Sequence, residues 1–262
     1  MALYLSPIGP AELKTIMLSL QPERWVGMNT EASTARDGAW RARLLRDQEV
    51  EVVAGPVSVA GHLTIPVNAK GIVLFAHGSG SSRFSPRNIF VADVLNEAGF
   101  GTLLFDLLTP DEEANRANVF NIELLAHRLI GVTEWLAKQT DTARLPIGFF
   151  GASTGAGAAL QAAAHPHMKV SAVVSRGGRP DLAGRWLNQV HSPTLLIVGG
   201  RDDVVLQMNR QAQASIPADC RLEVVPGATH LFEEPGALER VAELARGWFL
   251  THLMTPEPTK DH

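Results

Sequence analysis

Residues 146–160, PIGFFGASTGAGAAL, change character at their midpoint. The first half is a short apolar run, the look of a strand buried on both faces. The second half is rich in Ala and Gly, the look of a helix packed tightly on a sheet. Between them stands Gly151-Ala152-Ser153-Thr154-Gly155, a G-x-S-x-G pattern. A turn this sharp holds its serine in a strained backbone conformation, and bulky neighbours two positions away would clash. The hydroxyl of Ser153 is thereby lifted above the sheet. The following helix aims its N-terminus at the same point, which favours negative charge developing there.

Similar apolar runs flank this stretch. GIVLFAHG (71–78), GTLLFD (101–106), VSAVVS (170–175) and PTLLIV (193–198) read as buried strands, and RLEVV (221–225) as a last, more alternating one. Val50–Val53 and Val57–Ile65 read as two strands joined by Ala54-Gly55-Pro56. Helix-length segments separate most of them: Arg87–Ala98, Ile122–Lys138, Thr154–Ala164, Leu206–Ser215 and Leu238–Leu250. Strands alternating with helices predict an α/β fold with a mostly parallel, eight-stranded sheet covered on both faces. Residues 49–252 form this domain. Residues 1–48 read as an N-terminal arm, with a short helix opening at Pro10 and broken by Pro22, and residues 253–262 as a disordered tail.

Bulk composition narrows the function classes. A net charge of −4 with no basic stripe argues against a nucleic-acid partner. One cysteine, Cys220, forbids an intramolecular disulfide and suits a reducing cytoplasm. No signal peptide and no run long enough to span a bilayer are visible, so a cytoplasmic protein with no membrane partner is expected. His165 and His167 flank Pro166, but two ligands do not make a metal site, and no metal or cofactor is expected.

A serine nucleophile needs a base within hydrogen-bond reach and an acid to orient that base. After a G-x-S-x-G elbow these follow in the chain order Ser, Asp or Glu, His. Asp202 and Asp203 follow the strand PTLLIV. Asp202 is preferred because it lies nearer the strand end, leaving Asp203 to cap a helix starting near Val205. His230 lies in the loop PGATHLFEEPG after RLEVV and is the expected base. The backbone N–H groups of Thr154 and Ser79 are the expected oxyanion donors, Ser79 from the loop His77–Ser82 with His77 bracing it. Asp106 is expected to brace loops. Arg176, Phe84 and Leu231 are candidate substrate contacts. Arg176 either grips a substrate carboxylate or, as is commoner for a charge at a loop start, pairs with Asp181 or Asp203.

HGSGSSRFSPRN, LLTPDEE, GFFGASTGAGAAL, VVSRGGRPDLAG, LLIVGGRDD and VVPGATHLFEEPGALE together carry a resemblance. Over residues 57–250 the chain resembles the dienelactone-hydrolase-like branch of the α/β-hydrolases. Some relatives are fused to a phosphoribosyltransferase domain, for which no phosphoribosyl-pyrophosphate motif appears here. Dienelactone hydrolases proper carry cysteine at the elbow, where this chain has Ser153. The resemblance therefore implies an esterase acting on small to medium carboxylic esters through an acyl-enzyme. The alternatives are a lactonase of the dienelactone type, an acyl transferase, and a ligand-binding protein that keeps the fold. Only residues 176–192 separate two strands where many relatives insert a lid, so no cap domain is expected. A small-molecule ester is the expected partner, with the chain a monomer or homodimer.

Overall fold

The computed structural model describes residues 40–253. The arm's expected helix at residues 10–20 and most of the tail lie outside them. Eight strands form one sheet: β1 (Leu44–Ala54), β2 (Val57–Pro66), β3 (Ile72–Ala76), β4 (Gly101–Phe105), β5 (Ile147–Ala152), β6 (Val170–Arg176), β7 (Thr194–Gly199) and β8 (Cys220–Val225). Their spatial order is β1-β2-β4-β3-β5-β6-β7-β8. β1, β2 and β4 pair antiparallel, and every other neighbouring pair is parallel.

The helices are α1 (Pro86–Glu97), α2 (Pro110–Ala114), α3 (Ile122–Leu136), α4 (Thr154–Ala163), α5 (Asp203–Ser215) and α6 (Ala237–His252). Alternate residues of the buried strands feed two separate cores. Ile72, Leu74, Phe149 and Val173 pack with α3 and α4. Val73, Phe75, Phe150 and Val174 pack with α1 and α6 on the other face. This two-sided burial is why the central strands are continuously apolar.

Two segments differ from the sequence reading. β1 begins at Leu44, so residues 44–48 belong to the sheet rather than to an arm. The register runs back from the tight turn to Arg46↔Ile65 and Leu44↔Pro66, because ladder hydrogen bonds continue past the last alternating valine. The segment 107–120, for which the sequence reading names no element, contains α2 and a 3-10 turn at Asn118–Phe120. Thr109 and Glu112 close a reciprocal capping box around α2, and Glu112 also takes Arg128 on both oxygens at 2.7 Å. Between β6 and β7 runs a 3-10 segment, Pro180–Gln189, kinked at Gly184, and no cap domain.

Leu253, assigned to the tail, is fully buried in the α1–α6 core. Its side chain approaches the space beside Gly71 and Gly148 at the base of the sheet. Truncation there leaves a cavity among strands that relax little, so Leu253→Ala is expected to cost about 2–5 kcal/mol. Urea denaturation checks this. A loss below roughly 0.5 kcal/mol, the size usual for surface changes, would put Leu253 back in the tail.

Candidate active site

Ser153 adopts φ 49°, ψ −121°, a left-handed backbone that a non-glycine residue holds only under constraint. The constraint is visible on both sides. A Cβ on Gly155 would collide with the carbonyl oxygens of Ala76 and His77, and one on Gly151 would lie 2.5 Å from Ala156 Cα. The two glycines thus let α4 start directly against β3 and β5. The Ser153 N–H donates to the Arg176 carbonyl at 3.2 Å, and the Ser153 carbonyl accepts from Arg179 N–H at 3.0 Å. The elbow is pinned to the end of β6.

Asp202 occupies the N-cap position of α5, yet its side chain does not cap the helix. It instead accepts from His230 Nδ1 at 2.6 Å. An ionised carboxylate only accepts, so Nδ1 carries the proton and Nε2 is left as an acceptor. α5 begins at Asp203, two residues before the expected start, and Asp203 is its first helical residue. The two loops are locked together. Arg201 N–H donates to Ala228 O at 2.9 Å, and a Cβ on Gly199 would fall 2.5 Å from the carbonyl oxygens of Ala228 and Thr229.

On its other side, His230 faces Gly177. A Cβ there would stand 3.5 Å from His230 Cε1 and 3.4 Å from a ring carbon of Phe232. Ser153 and His230 therefore flank the same two residues, Arg176 and Gly177. Phe232 is a site residue that the sequence reading missed. It is 1% exposed and has φ 56°, a backbone state with no marker in a Thr-His-Leu-Phe string. It anchors the loop of the base in the α1–α6 core.

The loop after β3 is braced as expected. Leu107 N–H donates to His77 Nε2 at 3.1 Å, so His77 is protonated on Nδ1, which donates to Gly78 O at 3.0 Å. Burial holds the His77 pKa below its usual value. Asp106 accepts from the Arg83 backbone N–H at 2.9 Å and from its guanidinium at 2.5 Å. A small open cleft lies beside this loop, with Thr154, Leu107, Leu108, Val119 and Leu125 among its walls.

The remaining expected site residues are placed as follows. Ser79 N–H is not an open donor: it donates to Thr154 Oγ1 at 2.8 Å, because the hydroxyl of the first residue of α4 reaches across the gap. Arg176 pairs with neither Asp181 nor Asp203. Asp181 is taken by Arg179 at 2.9 and 2.7 Å, and Asp203 is exposed. Phe84 is 59% exposed under the Arg83 guanidinium, 4.0 Å from its ring centroid, and lines no wall of the cavity. Leu231 is half-buried directly after His230.

The sole thiol is remote from this chemistry. Cys220 begins β8, at the end of that strand away from the loop of His230, and burial followed by the charge of Asp219 pushes its pKa up to about 12. His165 and His167 stand 5.7 Å apart, ring to ring, and no cluster of three metal-ligating side chains occurs among the described residues.

Residues 69–244 match the family model of the alpha/beta hydrolase domain. A dienelactone hydrolase from Anabaena variabilis is 55% identical, superposes with a TM-score of 0.78, and is matched over 80% of this chain and 99% of its own. This chain belongs to the α/β-hydrolase family, in its dienelactone-hydrolase-like branch. An esterase from Pyrococcus furiosus, 17% identical with a TM-score of 0.61 over 89% of this chain and 100% of that one, shares the fold. A Mycobacterium tuberculosis protein provisionally named a phosphoribosyl transferase is 72% identical over 215 residues, 82% of this chain. The chain spans about half the length of that relative, 48%. Among the described residues, no helix of this hydrolase is long and apolar enough to cross a membrane.

The neutral His77 makes a stability prediction. Its folded pKa is depressed from 6.5, so below that value the unfolded chain takes up a proton that the folded one resists. Its contribution to stability is whole above 6.5 and is lost as pH falls toward the folded pKa. His62, raised by Asp47 and Glu49 against the opposing effect of its own burial, works the other way and cancels between variants. Melting temperature measured from about pH 6.5 down to about pH 5.5 is expected to fall less steeply in His77→Gln than in the wild type. Parallel slopes would contradict a neutral, depressed His77.

Proposed function

We propose that this hydrolase cleaves small to medium carboxylic esters through an acyl-enzyme on Ser153. The observation that carries the reading is the 2.6 Å hydrogen bond from His230 Nδ1 to Asp202, beside a serine held on a strained elbow. That bond fixes the tautomer in which Nε2 accepts the Ser153 proton. Asp202 orients the ring and stabilises the imidazolium formed as Ser153 Oγ attacks the ester carbon. The tetrahedral oxyanion is met by the Thr154 N–H at the start of α4. Ser79 N–H joins it once the Thr154 hydroxyl gives way to the substrate oxygen. His230 then returns the proton to the departing alcohol, and water repeats the sequence to release the acid.

Serine is favoured over cysteine because the one thiol is distant and held protonated. The cavity beside Thr154 supports a short acyl group, since its apolar wall is a handful of residues. Each methylene beyond that wall gains nothing of the ~0.8 kcal/mol that burial confers. The phosphoribosyl transferase name belongs to a longer relative, of which this chain matches 48%.

The test is a panel of p-nitrophenyl esters. Ser153→Ala is expected to abolish hydrolysis and labelling by an organophosphonate. Asp202→Asn is expected to lower kcat by about 10⁴-fold through the wrong His tautomer, whereas Asp203→Asn stays near wild type. Activity surviving in Ser153→Ala, or a larger loss for Asp203→Asn, would refute the assignment. Among acyl chains, kcat/KM is expected to peak at roughly acetate to hexanoate, where methylene burial stops. A steady rise to long chains would reveal an apolar channel.

A further inference from the structure

Among the described residues, the buried and half-buried arginines are paired, with one exception. Arg128, 4% exposed, donates to both oxygens of Glu112, to Leu107 O and to Ala54 O. Arg46, Arg83 and Arg179 each hold an aspartate. Arg176 is 7% exposed, its side chain makes no hydrogen bond or ion pair among the described residues, and its buried Nε has no partner. The charge that acts on it is another cation, Arg87, whose own Nε is also buried and unpartnered. Beside Arg87 in the first turn of α1, the buried Asn88 has its Oδ1 unpartnered. Three unsatisfied buried polar atoms on two facing elements are unusual, since such groups are ordinarily bonded.

The position of Arg176 gives this meaning. Its carbonyl accepts the Ser153 N–H at 3.2 Å, and the next residue, Gly177, packs on His230. Along β6, Ala172 and Val174 face α1 and α6, while Val173 faces α4. By alternation the Arg176 side chain projects toward α1, where Arg87 stands. Arg87 in turn donates to Glu233 at 3.3 Å, in the loop that carries His230. Arg176 therefore joins the elbow of Ser153 through its backbone, Arg87 joins the loop of His230 through Glu233, and both lie on the α1–α6 face of the sheet, away from the cleft walled by Val119 and Leu125.

We propose that Arg176 and Arg87 form an oxyanion-group subsite, so that the esters cleaved at Ser153 carry a carboxylate or phosphate at their far end. This rests on the hydrolase reading of Ser153. A guanidinium buried without a counter-charge is costly, and a planar two-oxygen anion offsets that cost through paired hydrogen bonds. Burial, with the charge of Arg87, lowers the Arg176 pKa to about 9, the direction expected of a cation lacking its partner. Arg87 keeps Glu233 as an exposed partner at the rim, so the pair carries a net positive charge before a ligand enters.

Thermal unfolding of the whole chain tests the subsite without using activity. Malonate and inorganic phosphate, each at ionic strength matched with sodium chloride, serve as probes. At saturation one or both are expected to raise the wild-type Tm by on the order of 5 °C. Arg176→Met is expected to melt higher than wild type without a probe, because the unpaired charge is gone, and to lose the probe-specific shift. Arg87→Met, changed at a rim ion pair, is expected to fold and to show a reduced shift. A response to malonate alone assigns a carboxylate, and a response to phosphate alone assigns a phosphate. Equal shifts in wild type and Arg176→Met overturn the proposal, as does an Arg176→Met that unfolds or melts lower. In the kinetic arm, wild type is expected to prefer monomethyl glutarate over methyl butyrate by at least about tenfold in kcat/KM, as for a charge-assisted contact, and Arg176→Met to lose that preference. Ester hydrolysis that depends on Ser153 but ignores the charge would sink the subsite alone. Anion shifts without any ester hydrolysis would sink the reading of Ser153 and spare the subsite.

Discussion

A serine at φ 49° costs about 1–3 kcal/mol in backbone strain, and the surrounding packing is what holds it there. α4 can begin one residue after β5 only because Gly151 and Gly155 present no side chain to Ala156, Ala76 and His77. The same arrangement aims the first turn of α4 at the space above the sheet. It also sets Ser153 against the end of β6, where Arg176 and Gly177 supply a carbonyl and an open flank. Neighbouring pieces then fall into place: the loop after β3 is pressed on the elbow, and the loops after β7 and β8 close from the other side.

Charge within this frame is sorted by burial. The acid that would otherwise cap α5 is turned to His230, so α5 gives up a side-chain cap in favour of a fixed imidazole. Loss of an Asp N-cap costs about 1 kcal/mol, a modest sacrifice for orienting a base. His77 is kept neutral by burial and serves as a strut between two backbones. Arg128 and Glu112, fully bonded, tie α3 to α2 and to the β1–β2 turn. Against these satisfied groups, the guanidinium of Arg176 stands out as the buried arginine charge left unpaired among the described residues.

The sheet was legible because its central strands are apolar on both faces and end in glycine or a chemistry-bearing residue. The elbow, Asp202 and His230 were legible because their order and their places after strands follow from one reaction geometry. α2 could have been read as well: Thr109-Pro110-Asp111-Glu112 is a capping-box signature with proline at the first helical position. Leu44–Gln48 escaped because a charged edge strand that alternates imperfectly resembles a linker. Other features are set by tertiary contact and have no local signal. The left-handed Phe232, the Ser79 N–H held by the Thr154 hydroxyl, and the isolation of Arg176 depend on residues far away in the chain. The last of these reversed the commoner expectation of an ion pair, because Asp181 sits two residues from a better-placed arginine, Arg179.

The central claim is that Ser153 becomes acylated under the control of His230 and Asp202. Its most direct test is rapid acid quench of the protein mixed with a short p-nitrophenyl ester, followed by intact mass and peptide mapping. The account predicts one acyl group per chain, mapped to Ser153, formed in a burst that His230→Ala removes. An acyl group on another side chain, or steady turnover with no trapped adduct in wild type and undiminished in His230→Ala, would contradict it.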